Sequence, residues 1–293
     1  MLANTNSWKG VLSIPEQVIY EGETYTVDRI EWLAFMSCKT LTQVRIPKTV
    51  SRIVHYAGYE GCKNPFIGCT SLENIEVDED NQWMSSLNGV LFNKDKTFLY
   101  CFPAGARQTK YDIPETVETI GDDAFSYNQY LETVWMPDNV IHTYGGIFEY
   151  SKSLSSIRLS ESLNSLEAFS FAQCGSLTFL DIPASVSSFG ESVFRWSSIK
   201  TLIIRGTFPQ GLRGDTFYSM DDEVVIYAQR SEIDKIKKVF TGSVLPIEDY
   251  STGIENKTTW PVGNLYTYDL QGRRLAKEAK KGVYIKDGRK YVK

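Results

Sequence analysis

Phe125, Phe148, Phe171 and Phe194 stand 23 residues apart, three intervals in succession. Leu131, Leu154 and Leu177 keep the same step, as do Val134, Ile157 and Leu180, and then Met136, Leu159 and Ile182. Pro114, Pro137 and Pro183 form a further column, with Ser160 in the missing place. A fixed period of this length marks a stacked repeat and constrains the fold more tightly than composition can. One such unit cannot bury its own apolar face, so neighbouring units must stack and share a continuous core.

Within a unit, the alternation Val134, Met136 or Leu180, Ile182 predicts a short strand with one apolar face. Proline at its end removes a ladder donor and stops it. Gly121 and Gly190 follow the second apolar position, where a turn is wanted. The phenylalanine fills the far side of the coil. The expected fold is a repeat solenoid of leucine-rich-repeat type with 23-residue units. It is mainly β, with a parallel sheet on one face and short irregular or helical segments on the other.

The solenoid is expected over residues 1–207. Residues 11–35 form its entry cap, where VLSIPEQV copies the strand–proline–valine part of a unit. Extra residues within VHYAGYEGCKNPF form a loop before Phe66. A hairpin insertion occupies 78–112: NGVLFNKDKTFLYCF is two alternating runs around Asn93-Lys94-Asp95-Lys96. After Phe194 the register slips by one residue, and Ile199, Leu202 and Ile204 are the last repeat strand. Residues 208–250 then read as a C-terminal cap, the strand VVIYAQ followed by a helix in RSEIDKIKKVF with Ser231 as its N-cap. Residues 251–262 read as a linker. Residues 263–293 read as a small β tail of three strands with an Asp287-Gly288 turn.

IPETVETIGDDAF from Ile113 and CGSLTFLDIPASV from Cys174 resemble the units of the BspA-like leucine-rich repeat family of bacterial surface proteins. The resemblance covers about residues 11–250. Trp135-Met136 in the strand and Ser160 for proline depart from the pattern. The tail resembles the C-terminal sorting or anchoring tails of exported proteins from the same bacterial groups, through YDLQGRR from Tyr268 and KKGVYIKDGRKYVK from Lys280. The resemblance implies a secreted or cell-surface protein used in adhesion or host interaction. MLANTNSWKG has no apolar h-region, so an export signal is expected outside this sequence.

The balance of 31 basic against 36 acidic residues, net -5, excludes the basic excess that a nucleic-acid groove or an anionic membrane surface requires. No apolar run approaches the roughly 20 residues that span a bilayer, so no membrane insertion is expected. Cys38, Cys69 and Cys174 each follow a repeat phenylalanine by three residues, where Asn128 and Ser151 stand in other units. They read as small buried core residues. A Cys38–Cys69 disulfide between neighbouring units is the alternative. Cys62 and Cys101 lie in insertions.

No catalytic residue, metal ligand or cofactor site is expected. His55 and His142 are several coils apart, and no nucleophile motif accompanies them. Asp78-Glu79-Asp80-Asn81, Asp122-Asp123 and Asp221-Asp222-Glu223 read as solvated turn charges. Binding has more support. Residues between the core positions of each strand point outward. One outward column is Arg45, Glu76, Trp135, Arg158 and Asp181, and its neighbour includes Phe179. The charges alternate in sign and can satisfy one another. Trp135 and Phe179 are candidate anchors for a protein or glycan partner, or else they pack on a neighbouring arginine stem. The reading is a monomeric, non-catalytic binding protein. The alternatives are a structural spacer and an accessory that captures glycans.

Overall fold

The computed structural model describes residues 8–54, 64–208 and 212–253, and the backbone of four strands within 267–292. His55, Cys62 and most of the loop before Phe66 lie outside the described residues.

The leucine-rich strands pair in parallel. Lys9–Ser13, Thr40–Ile46 and Asn74–Val77 form one group, and Lys110–Asp112, Thr133–Trp135 and Ser156–Arg158 a second. Phe179–Ile182, Thr201–Ile204, Val225–Ala228 and Ser243–Pro246 form a third. Register follows the repeat, with Val134 opposite Ile157 and Leu180 opposite Leu202. A second ladder of shorter parallel strands runs through the coils, for example Thr119–Ile120 beside His142–Thr143 and Ser165–Leu166 beside Ser188–Phe189. The architecture is therefore a stacked leucine-rich solenoid, within the compact unit that ends at Ile247.

Each regular strand ends in the turn that its proline begins. Val117 donates its N–H to the Pro114 carbonyl, Val140 to Pro137 and Val186 to Pro183. Ser160 sustains the same turn without proline. Leu163 donates to its carbonyl at 3.2 Å, and its Oγ accepts the N–H of Ser162 at 3.1 Å. Pro and Ser are interchangeable here because both favour such turns, one by fixing φ and the other by bonding nearby backbone.

The phenylalanine column is longer than the four expected residues. Phe102 stacks on Phe125 at 5.2 Å between ring centroids, and Phe125 on Phe148 at 5.1 Å. The stack continues through Phe171 and Phe194 to Phe217, 5.9 Å beyond Phe194. Phe240 follows at 5.5 Å with its ring tilted. All seven are spaced by 23 residues. The repeat therefore runs on past Ile204, where a change of pattern was expected. The two strands that follow are further members of the same parallel sheet, Ile226 opposite Leu202 and Val244 opposite Ile226. The strand column falls one residue short between Leu180 and Leu202 and runs one long between Leu202 and Ile226. The strands thus slip while the rings hold their step.

The helix in this region is a single turn, Ile233–Ile236, and Ser231 does not cap it. Its N-cap is Glu232, whose side chain instead accepts the Phe208 N–H at 3.0 Å and pairs with Lys235 at 3.0 Å. The hairpin also differs from expectation. Met84–Leu87, Val90–Asn93 and Phe98–Cys101 are three antiparallel strands. Asn88 and Gly89, both at positive φ, make the first turn. Phe98–Cys101 then joins Thr119–Ile120 in parallel, so the insertion feeds into the second ladder.

Residues 248–293 form a separate compact unit. Its four strands, not three, pair antiparallel in the order Arg274–Leu275, Thr267–Asp269, Val283–Lys286, Arg289–Val292. The expected linker begins inside the helix Ile247–Gly253, and the rest of it lies outside the described residues.

Candidate functional site

The outward strand column is largely committed to itself. Arg45 and Glu76 stand opposite each other and pair at 2.9 Å, as the alternation of sign predicted. The pairing holds the Glu76 carboxyl below its ordinary pKa through the Arg45 hydrogen bond. Arg158 and Asp181 find other partners. The expectation of an outward Arg158 open to a partner is corrected: it is only 7% exposed. Its guanidinium lies 4.5 Å from the Trp135 ring centroid, donates to the Met136 carbonyl at 2.6 Å and pairs with Asp138 at 2.6 Å. Trp135 is half-buried beneath this arrangement, so it packs on an arginine of the next coil. Asp181 is half-buried and pairs with Arg205, which also reaches Glu161 at 3.5 Å. Burial pushes both the Asp181 and the Glu161 carboxyl above their ordinary pKa. Phe179 is half-buried.

Two of the acidic clusters also need correction. Asp122 and Asp123 are buried rather than solvated. Gly145 and Gly146 lie against their carboxylates, and a Cβ on Gly146 would clash with Asp123 Oδ1. Asn81, at the end of the acidic run, is also buried and donates to the Pro47 and Val50 carbonyls, both at 2.9 Å. Asp78–Asp80 and Asp221–Glu223 are exposed turns, as expected.

The thiols are free and buried at Cys38, Cys69, Cys101 and Cys174. Cys69 donates to the Phe35 carbonyl at 2.9 Å, Cys174 to Phe148 at 3.2 Å, and the Ser151 hydroxyl to Phe125 at 2.8 Å. The position three after phenylalanine is therefore a donor that ties one coil to the one before. Burial pushes the Cys69 thiol up to about 12 and that of Cys174 higher still, so neither forms a reactive thiolate near neutral pH.

Sequence reasoning missed the turn surface, where exposed aromatics gather around an arginine. Two residues after each phenylalanine from Phe125 to Phe217 the backbone turns left-handed. Tyr127, Tyr150, Gln173, Trp196 and Ser219 all have φ between 53 and 60°. This conformation is rare for bulky residues, and here the stacked coils impose it at five successive steps. It throws each of these side chains onto the turn surface. Tyr127 and Tyr150 stack at 4.6 Å. Farther along, Trp196 is 54% exposed and Tyr218 is 56% exposed. The Arg195 guanidinium lies over both rings, 3.9 Å from the Trp196 centroid and 5.5 Å from that of Tyr218. The signal was present in the sequence as the same 23-residue step, read two places after the phenylalanines from Phe125 to Phe217.

These strands, turns and rings define a leucine-rich repeat protein. The sequence profile described as "BspA type Leucine rich repeat region" matches residues 23–93 and 95–220, in six copies, and the chain belongs to that family. Among solved structures it is similar to the pneumococcal vaccine antigen PcpA, with a TM-score of 0.55 and 16% identity over 84% of this chain and 90% of the other. It is also similar to a leucine-rich cell surface protein from Faecalibacterium prausnitzii A2-165, with a TM-score of 0.52 and 18% identity over 80% of this chain and 91% of that one. At such identities the likeness speaks to the fold alone. A comparison with curated protein sequences gave no match. No helix among the described residues is long and apolar enough to cross a membrane.

Proposed function

We propose that this chain is a non-catalytic binding protein of the bacterial cell surface or its surroundings, acting as a monomer on a protein or glycan partner. The observation that carries the reading is the contrast between interior and turn surface. Inside, the coils are filled by the phenylalanine stack, and the strand-face charges pair with neighbouring charges. On the turns, Trp196 and Tyr218 keep more than half of their surface in water. Exposed large aromatics clustered on a rigid scaffold are the composition of a recognition patch. The cell-surface setting is supported by the family and by the F. prausnitzii neighbour, itself described as a cell surface protein. Trp135 and Phe179 are the weaker anchors, being half-buried.

The test is an array of glycans and extracellular matrix proteins probed with the full chain. Saturable binding to at least one class, competed by unlabelled protein, is the expected result. Silence across both classes would favour the spacer role instead.

A further inference from the structure

Arg195 differs from other arginines of the solenoid. Arg45, Arg107, Arg158, Arg205 and Arg213 each pair with a carboxylate. Among the described residues no carboxylate pairs with Arg195, and its Nε is buried without a hydrogen-bond partner. Its charge is instead spread over the faces of two exposed rings. A guanidinium held flat by aromatics keeps its planar fork of donors, which matches a carboxylate in two-point contact.

The rim of this patch is polar. Gln173 precedes Trp196 in the left-handed column and Ser219 follows it. The three are locked in sequence by backbone bonds, Gln173 N–H to the Arg195 carbonyl at 2.8 Å and Trp196 N–H to the Ser219 carbonyl at 3.3 Å. Ser198 continues the rim along the chain. Gln173 and Ser219 therefore flank two ring bodies and one cation that no carboxylate of the described residues pairs with.

We propose that Arg195, Trp196 and Tyr218 form a subsite for an acidic sugar, a saccharide unit bearing a carboxylate. The carboxylate takes the unpaired guanidinium, the ring faces take the apolar face of the pyranose, and the hydroxyls of the sugar meet Gln173 and Ser219. A protein partner fits less well, because a stable protein interface draws on about 20–30 residues a side around an apolar core. Here the apolar part is two rings with polar neighbours on each flank. The proposal rests on the binding-protein reading and narrows it to one ligand class and one place.

The experiment is isothermal titration of the full chain with three probes: tetragalacturonate, the neutral galactotetraose, and an acidic tetrapeptide of Asp and Glu. Each is repeated on Arg195→Gln, Trp196→Asn and, as a control, Trp83→Ala, a half-exposed tryptophan just before the strand Met84–Leu87. Asparagine is chosen at 196 because it tolerates the left-handed backbone, so the variant keeps its fold while losing the ring. The expected result is binding of tetragalacturonate only, weakened at least tenfold by Arg195→Gln and by Trp196→Asn and unchanged by Trp83→Ala. Equal binding of the neutral tetraose, preference for the peptide, indifference to both subsite variants, or no binding of tetragalacturonate at millimolar concentration would each overturn the subsite. If the array of glycans and matrix proteins still returns a ligand whose binding ignores Arg195→Gln, the subsite falls while the binding reading stands.

Discussion

Phe194 and Phe217 stack at 5.9 Å with their planes only 11° apart, across the place where the strand register slips. The interior ring, more than the strand, keeps the count of the repeat. A strand can shift by one residue because its ladder bonds are alike along its length. A buried ring that shifts leaves a cavity on one side and a clash on the other.

Phe148 is fully buried between Phe125 and Phe171. Phe148→Ala should destabilise the chain by about 3–5 kcal/mol, because the cavity in a stacked column has rigid walls. Urea denaturation of the two proteins compares them directly. A loss below about 1 kcal/mol would mean that the stack contributes little.

Ser219 holds φ at 59° on an exposed turn. Ser219→Gly should be neutral or slightly stabilising, since glycine meets no steric penalty there. Ser219→Val should cost about 1–2 kcal/mol, because a β-branched residue resists the left-handed region. Equal melting temperatures for the two variants would show that the turn relaxes to another conformation.

Glu161 and Glu232 should respond to pH in opposite ways. Burial raises the Glu161 carboxyl above its ordinary 4.5, beyond what Arg205 and Arg158 can offset. Folding therefore favours its neutral form, and that contribution is lost as pH rises from the unfolded value through the folded one. Glu161→Gln should melt higher than the parent at pH 7, with the gap closing as pH falls below 4.5. For Glu232, burial alone would raise the pKa. The Lys235 ammonium, the Phe208 N–H and the Ser231 hydroxyl outweigh it and leave the carboxyl below 4.5. Its ionised form stabilises the fold above the unfolded value and ceases to as pH falls through the lowered one. Glu232→Gln should thus melt lower at pH 7 and approach the parent in acid. Calorimetric scans at several pH values read both, and parallel curves for either variant would contradict the assignment.

Cys174 and Ser151 make the same bond to the phenylalanine carbonyl of the preceding coil. Cys174→Ser should therefore cost no more than about 1 kcal/mol, and Cys174→Ala should be the worse of the two by a similar amount. In the native chain Cys38, Cys69, Cys101 and Cys174 should resist iodoacetamide, as peptide mapping by mass spectrometry would show. Rapid labelling of any of the four would contradict their burial.

The stacking of units was legible in the sequence because phenylalanine and leucine repeat without interruption from Ile113 to Phe194. Phe217 and Phe240 were hidden by the strand slip, which breaks the step at Leu202 while the rings keep it. The strand Met84–Leu87 was missed because MSSL has too little apolar alternation to declare itself. Val134 and Met136 fix the outward direction of Trp135, but not the fate of its surface. Alternation sets which way a side chain leaves the strand. It does not say that Arg158, one coil on, will fold back over the indole. The Trp196 patch escaped for a different reason: its backbone turns left-handed at a residue type that seldom does so, and no propensity rule flags tryptophan there.

The continuous stack from Phe102 to Phe240 positions both the strand face and the turn surface, so two truncations test the account most directly. A chain ending at Ile247 keeps Phe217, Phe240 and the strand Ser243–Pro246, and it should unfold cooperatively at the melting temperature of the full solenoid. A chain ending at Gly206 loses both rings, the strand Val225–Ala228 that pairs with Thr201–Ile204 and the strand beyond it, and it should melt well below that temperature or fail to remain soluble. If the shorter chain were monomeric and melted at the same temperature as the longer one, residues 207–247 would not belong to the stack.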